Sequence, residues 1–379
     1  MNNTVLHFRS YFKELPAVRL LKGQWKKQKL MSNKAMDKAI SRFCNKPLTE
    51  SERASLSSDM KEKARRFGFS YTEYFLLQLN GKSDEEVREY ISDFEHVEIV
   101  EKMNRAKNQA IFDDKALTYK YFGNYYNRDC LFAESSEQGA EKIRLFFKKH
   151  GKFILKPVER AGGGGIEIVN NEQAMETSIK KILSHYKYGV FIEELIEQAE
   201  ELRNLHPQSV NTVRIPTIRV NDKETIIFHP FLRVGKGNAV VDNAGSGGII
   251  CALDSETGKV TVARDEYGNN YDVHPDTGIR LIGFQVPHWE EAVNTAKKLA
   301  QVIPSNRYTG WDLALTGNGW SMVEGNARGQ FVWQYATLQG CRTEIDQLFK
   351  KMGLKKREYI KRKWLLKSSA YAADRSIWR

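Results

Sequence analysis

The sequence has no long hydrophobic run: stretches such as Ile226-Ile227-Phe228 fall far short of the roughly 20 apolar residues a membrane span needs. The N-terminus lacks the apolar core of a secretory signal, so the expectation is a cytosolic protein. Cysteines are few and widely scattered, at Cys44, Cys130, Cys251 and Cys341. That distribution suggests neither a CxxC metal site nor a dense disulfide framework, and it predicts reduced thiols. No Pro/Ser/Gly-rich tract marks a linker, no repeat is evident, and no GxGxxG follows a strand. What remains is a chain of 379 residues with 41% hydrophobic and 28% charged content, ordinary for folded protein and long enough for two or three packed lobes.

A formal net charge of +12 is concentrated at the two ends. Between Arg9 and Lys38 the only acids are Glu14 and Asp37, and the stretch from Lys350 to Arg379 repeats the basic bias. Such ends suit an anionic membrane surface, an anionic substrate or nucleic acid, or they are a solvated basic face. Phe8, Tyr11, Phe12 and Trp25 near the start and Trp364 near the end interleave with the cations, the composition of an interfacial segment at the inner face of a membrane. No nucleic-acid reader motif is present, and no nucleic-acid partner is expected.

Up to about Lys120 the pattern is helical: Tyr71, Tyr74, Phe75 and Leu79 recur at spacings of three and four, and Ser83-Asp84-Glu85-Glu86 has the form of a helix start. From near residue 150 strands are predicted at 152–157, 166–169, 190–194, 213–220, 225–234 and 249–253. Helical periods return at 173–185 and 289–303, and 308–316 with 320–324 read as a last hairpin. The expected fold class is α+β with mixed sheets. Its expected parts are a helical N-terminal region (1–100), two lobes (101–195 and 196–347) and a basic tail (348–379).

Two stretches carry chemistry. In the first, a strand ending in Lys156 runs into Gly162, Gly163, Gly164 and Gly165 and then into another strand. Consecutive glycines let the backbone approach a ligand and aim several N–H groups at phosphate oxygens, while the absence of a closing GK[ST] separates the loop from a Walker A motif. Alone, such a run also reads as a flexible hairpin turn. In the second, Asp312, Glu324 and Asn326 fall around one hairpin. Glu324 and Asn326 share a strand face because they are two apart. A three-residue Gly317-Asn318-Gly319 loop with Gly319 left-handed puts Asp312 opposite Glu324, whereas a two-residue Asn-Gly turn sends it to the other face. The first register gives three oxygen ligands suited to Mg²⁺.

In this order the pieces resemble the ATP-grasp superfamily, and in particular its branch associated with sugar transfer, over roughly residues 60–345. The resemblance implies two α+β lobes clamping ATP, with a helical N-terminal region where many such enzymes carry alternating strands and helices. It implies that Lys115, in an opening motif with Asp114 and Lys120, and Lys156 contact the nucleotide phosphates, and that the four glycines form a flap. It places Glu193, Glu194, Leu195 and Ile196 around the adenine, Asn211 near the ribose, and Arg214 near the reacting phosphate. Asp242, Asn243, Gly247 and Gly248 match the substrate-side loop, and Asp312, Glu324 and Asn326 the Mg²⁺ residues. His274-Pro275-Asp276-Thr277-Gly278 resembles a stretch typical of the branch, and reads as a turn.

The implied chemistry is activation of a carboxylate as an acyl phosphate, followed by attack of an amine, with Lys156, Arg214 and Arg328 as the catalytic cations. Such transfer needs alignment and charge neutralisation more than covalent catalysis. The resemblance further implies MgATP, a small acid such as a uronic acid sugar, and an amine such as an amino acid. The rival expectation is a phosphotransferase acting on a hydroxyl; another is a basic adaptor switched by ATP.

Overall fold

The structure is a computed structural model that describes residues 26–105, 108–158, 165–186, 189–239, 242 and 247–354. The basic-aromatic ends, 1–25 and 355–379, lie outside the described residues. Among the described residues no helix is long and apolar enough to cross a membrane.

The N-terminal part is helical. Helices α1 (Asn33–Phe43), α2 (Glu50–Phe67), α3 (Tyr71–Leu76) and α4 (Asp84–Glu89) each begin on a Ser or Thr cap. Three of those caps are reciprocal boxes, Thr49 with Glu52, Ser70 with Glu73 and Ser83 with Glu86, which satisfy otherwise orphaned first-turn amides. Met36, Ile40, Met60, Phe67, Tyr71 and Tyr74 pack into one core beneath them. Helix α3 ends before Leu79, which is buried beyond it. Next come α5 (Asp93–Met103), α6 (Gln109–Asp113) and α7 (Lys115–Phe122).

A four-stranded sheet follows, in the order β1 (Cys130–Ala133), β4 (Val190–Glu193), β2 (Phe153–Pro157), β3 (Glu167–Val169). It begins earlier than the predicted position near residue 150, because short β1 precedes its helix. Phe153, Leu155, Val190 and Ile192 alternate onto one face and bury against α8 (Glu137–His150) and α9 (Glu172–His185). The alternate residues, Lys156 and Glu193 among them, point to the opposite face.

Short α10 (Glu200–Arg203) leads into a seven-stranded sheet, whose strands are β5 (Thr212–Arg219), β6 (Thr225–Ile227), β7 (Phe231–Val234), β8 (Ile249–Leu253), β9 (Val260–Asp265), β10 (Tyr308–Thr316) and β11 (Gly319–Asn326). The order is β11-β10-β5-β7-β8-β9, with β6 pairing the far end of β5. Val213, Ile215, Leu232, Cys251, Trp311 and Leu313 form its buried face, covered by Trp289, Ala292, Ala296 and Leu299 of α11 (Trp289–Val302). Helices α12 (Trp333–Thr337) and α13 (Arg342–Lys351) close the described chain. All strand pairings in both sheets are antiparallel, not mixed as expected: successive strands connect through hairpins or antiparallel returns. Strand β9 was not foreseen, and the predicted 225–234 strand is broken at His229, whose φ is 50°.

Candidate functional site

The β10–β11 hairpin reaches the required register by a third route. Thr316 pairs with Gly319, so the loop is the two residues Gly317 and Asn318, with Gly319 at φ 90°. Pairing runs down to Leu313 opposite Met322 and then slips, leaving Val323 as an extra residue and setting Asp312 opposite Glu324 and Gly310 opposite Asn326. This β-bulge restores the face that the short loop alone would have lost. Asp312, Glu324 and Asn326 thus share one face, and the Asn326 amide lies 3.5 Å from Asp312 Oδ2.

The same face continues into β5 and β7. Arg214 stands opposite Asp312 and grips it through two nitrogens, Nε on Oδ1 and Nη2 on Oδ2 at 2.8 Å. Gly310 makes room: a Cβ there would lie 3.0 Å from Arg214 Cδ. Arg233, opposite Thr212, places Nη2 2.9 Å from Asp312 Oδ2, donates to Thr212 Oγ1 and lies 3.6 Å from Asp242. Asp242 in turn accepts from the Thr212 amide at 2.9 Å and from its hydroxyl. Burial alone would raise the Asp312 pKa, but Arg214 and Arg233 overcome it and hold the carboxyl below its usual range. Asp242, with less compensation, is pushed up by burial. Glu324 is also pushed up, by burial of its carboxyl group among the site's side chains and by the Asp312 charge, although the residue as a whole stands at the exposed rim.

Across from this face stands the outer face of the small sheet. Lys156 Nζ is 2.5 Å from Glu193 Oε1, while Arg128 takes Glu193 Oε2 through Nε at 3.0 Å and through Nη2. Glu193 is buried, which would raise its pKa, but these cations hold it below the normal range. Arg128 also donates to Ser321 Oγ at 2.9 Å and to the Met322 carbonyl at 2.7 Å, tying the two sheets together. Lys115, at the start of α7 where Asp114 caps the first turn, donates to the Pro157 carbonyl at 3.4 Å. Its pKa is lowered by burial, against the opposing pull of Glu324, and Lys156 lowers it further. Lys115, Lys156 and Glu193 therefore share an electrostatic neighbourhood with Glu324 and, through it, with Asp312 and Arg214. Ammonium groups on one wall and carboxylates with a guanidinium on the other can bind a polyphosphate and a divalent cation between them. The donor set, two opposed carboxylates and an amide on one face, is of the type that suits Mg²⁺; Glu324 stands at the rim, while both Asp312 oxygens are held by Arg214 and Arg233 and would reach a cation by sharing those partners.

Other assignments fare differently. Asn211 is a correction: it is fully buried, its amide nitrogen donating to the Leu202 carbonyl at 2.8 Å and the His206 carbonyl at 3.1 Å, its oxygen accepting from the Gly235 amide at 3.2 Å. It pins the entrance to β5 and has no group to offer a ribose. Arg328 shows an ion pair with Glu101 of α5 at 3.8 Å. Glu194 uses its amide on the Asp129 carbonyl at 2.9 Å and its carboxylate on the Asp129 amide at 3.2 Å; with half-buried Leu195 and Ile196 it lies just past β4. Gly165 and Gly247 have φ 77° and 89°, and Gly248 leads into β8. Gly162, Gly163, Gly164 and Asn243 lie outside the described residues.

The 274–278 stretch is a turn, with the Gly278 amide on the His274 carbonyl at 3.0 Å. His274 Nε2 contacts the Gly235 carbonyl at 2.8 Å and Asp276 accepts from the Gly237 amide at 2.6 Å, so the turn braces the loop leading to Asp242. Sequence reasoning missed Arg233 and Arg128. The signal for Arg233 was strand parity, since it stands opposite Thr212, two residues before Arg214; for Arg128 there was none.

No curated protein matches the chain. Among solved structures it is similar to D-alanyl-alanine synthetase A from Vibrio cholerae, at 11% identity and TM-score 0.41 over 64% of this chain and 66% of that one. It is also similar to the ATP-grasp ligase PsnB complexed with a phosphomimetic variant of a minimal precursor, Mg and ADP, at 17% identity and TM-score 0.41 over 66% and 62%. A third is N5-carboxyaminoimidazole synthetase from Staphylococcus aureus complexed with ADP, at 13% identity and TM-score 0.41 over 64% and 53%. In each case the match spans less than two thirds of the other protein's length. A sequence profile described as "Sugar-transfer associated ATP-grasp" matches residues 95–349, the stretch that holds both sheets and every site residue described above, and the chain belongs to that family.

Proposed function

We propose that the chain is an ATP-dependent ligase that activates a carboxylate as an acyl phosphate and joins it to an amine, in the building of a sugar conjugate such as a surface polysaccharide. The observation that carries this reading is the pairing of Lys115 and Lys156 on one wall with Asp312, Glu324 and Arg214 on the other. The acid's oxygen attacks the γ-phosphorus, the bond to the β,γ-bridging oxygen breaks, and ADP leaves. The amine then attacks the acyl carbon, the bond to the phosphate oxygen breaks, and inorganic phosphate leaves with the amide formed. Lys115 and Lys156 neutralise phosphate charge, and Arg214, held in place by Asp312, faces the transferred group. Asp312, Glu324 and Asn326 would hold Mg²⁺, which supplies further charge neutralisation at the phosphates.

The family description supports a sugar-linked role. Arg233, between Asp312 and Asp242, supports an acidic substrate, with a uronic acid sugar and an amino acid as the pair we favour. We place the enzyme in the cytoplasm, its basic ends against anionic lipid. Purified protein incubated with MgATP, amino acids and uronic-acid nucleotide sugars, followed by mass spectrometry, tests this. ADP formed together with a new amide is the expected result. A stable phosphorylated product instead identifies a phosphotransferase, and nucleotide binding without any product identifies a switched adaptor.

A further inference from the structure

The turn after β11, residues 326–329, begins with Asn326 and ends against Arg214: a Cβ on Gly329 would lie 3.1 Å from Arg214 Nη1, and the Gly329 amide returns to the Asn326 carbonyl at 3.1 Å. The turn lies past the end of β11 at Asn326, beyond the strand pairing of the large sheet. Helix α5, from the helical region, holds it. His96 Nε2 lies 2.7 Å from the Gly329 carbonyl, Glu101 pairs with Arg328 at 3.8 Å, and the Asn104 side-chain amide donates to the Ala327 carbonyl at 2.8 Å. Helix α5 and its capping residue Asn104 thus hold three consecutive residues of the turn. The same Asn104 also joins Tyr308 of β10, giving to its carbonyl and accepting from its amide at 2.8 Å each. Tyr308 Oη supplies a second donor to the Gly329 carbonyl at 2.6 Å.

His96 is 2% exposed, and its Nδ1 has no partner. Because the Gly329 carbonyl only accepts, Nε2 carries a proton, and burial, which lowers the ring's pKa, favours the neutral form with a bare Nδ1. A buried ring nitrogen without a partner is costly, so this histidine sits there at the expense of stability an apolar residue would not forfeit. Phe331 packs edge-on against it at 4.7 Å between ring centroids.

We propose that α5 is a splint for the site, with His96 as a positioning residue that, through the Gly329 carbonyl, sets where Asn326 and Arg214 stand. This rests on the reading of Asp312, Glu324 and Asn326 as the Mg²⁺ residues. It gives the helical region a role in nucleotide binding through the turn that α5 holds.

Calorimetric titration of the full chain with AMPPNP over a range of Mg²⁺ concentrations tests it. In His96→Phe, which keeps the ring contact and removes the donor, half-saturating Mg²⁺ should rise about ten-fold, the usual effect of removing an outer hydrogen bond to a metal site. His96→Gln, which can present an amide nitrogen near the Nε2 position, should return it to within about two-fold of wild type. Tyr308→Phe removes the other donor to the same carbonyl and should shift half-saturation in the same direction; it decides the matter if His96→Phe does not fold. A lowered unfolding temperature with unchanged Mg²⁺ dependence in these variants overturns the splint and leaves the site reading intact. A wild-type chain whose AMPPNP binding ignores Mg²⁺ overturns the site reading itself, and the splint with it.

Discussion

Lys156 is held over the cleft by Glu193, whose Oε1 lies 2.5 Å from the lysine Nζ while its Oε2 takes Arg128. One buried carboxylate thereby sets the position of a phosphate-binding cation and also of the arginine that bridges the two sheets. Its partners are largely withdrawn from water, so the arrangement is worth little as an attraction in itself but costly to break from one side.

Glu193→Gln should therefore destabilise the fold by about 3–5 kcal/mol, the usual cost of leaving a buried charge unpaired. The sign with pH follows from the direction of the shift. Glu193 is held below its ordinary value of 4.5, so its contribution is present above that pH and is lost as pH falls through the folded-state value. Urea unfolding of wild type and variant should differ strongly at pH 7 and progressively less on acidification below pH about 4.5. A difference that does not shrink with acid would show that Glu193 acts by shape alone.

Glu324→Gln should not lower stability at neutral pH, since burial and the Asp312 charge already disfavour the ionised carboxylate in the fold. Turnover of ATP should fall by at least about 100-fold, comparable with removing one charge-stabilising group from a transferring centre. Circular dichroism and nucleotide-dependent product formation check the two halves of this expectation separately.

What the sequence disclosed, and what it concealed, follows from locality. Caps such as Ser83 with Glu86 and the apolar strands were readable because they depend on neighbours in the chain. The Asp312–Glu324 register was readable only as a pair of alternatives, and the structure used neither: a two-residue loop plus a bulge at Val323 produced the face that the three-residue loop would have given. Asn211 was misplaced because resemblance conveys residue type and order but not whether a side chain turns inward; it closes on Leu202, His206 and Gly235, all brought to it by folding. The splint between α5 and the 326–329 turn joins segments over 200 residues apart, such as His96 with Gly329 at a separation of 233, and no local pattern announces it.

Glu73 offers a second pH-dependent expectation, of opposite sign. Burial and the Asp93 charge push its pKa from 4.5 up to about 8, while it accepts from the Asp93 amide at 2.7 Å and the Ser70 hydroxyl at 2.6 Å. The folded chain keeps a proton there that the unfolded chain releases above 4.5. The contribution is complete below pH 4.5 and is lost as pH rises to about 8. Asp93 also receives Tyr335 and Gln330, so this acid pair lies where the helical region meets the segment after β11. Glu73→Gln should flatten the decline in urea midpoint between pH 5 and 8. An unchanged slope would place the titration on another group.

Asn211 separates structural from ligand roles most cleanly. Its backbone amide and side-chain amide both reach Gln198 Oε1, at 3.0 and 3.3 Å, and the Gln198 amide returns to the Asn211 carbonyl at 2.5 Å. Asn211→Ala keeps the backbone bonds but strips the Leu202 and His206 carbonyls of a donor and the Gly235 amide of an acceptor. The two carbonyls keep the Leu205 and Ser209 amides, so the buried Gly235 amide is the group left unpaired, and a loss of about 1–3 kcal/mol is expected. A ribose contact predicts the reverse pattern, with stability barely touched and nucleotide affinity reduced by about ten-fold, the equivalent of one hydrogen bond near 1.4 kcal/mol. Denaturant unfolding and calorimetry with ADP on the same preparation distinguish the two: the structure requires the unfolding midpoint to fall while the folded variant binds ADP as the wild type does, and the opposite outcome would return Asn211 to the nucleotide.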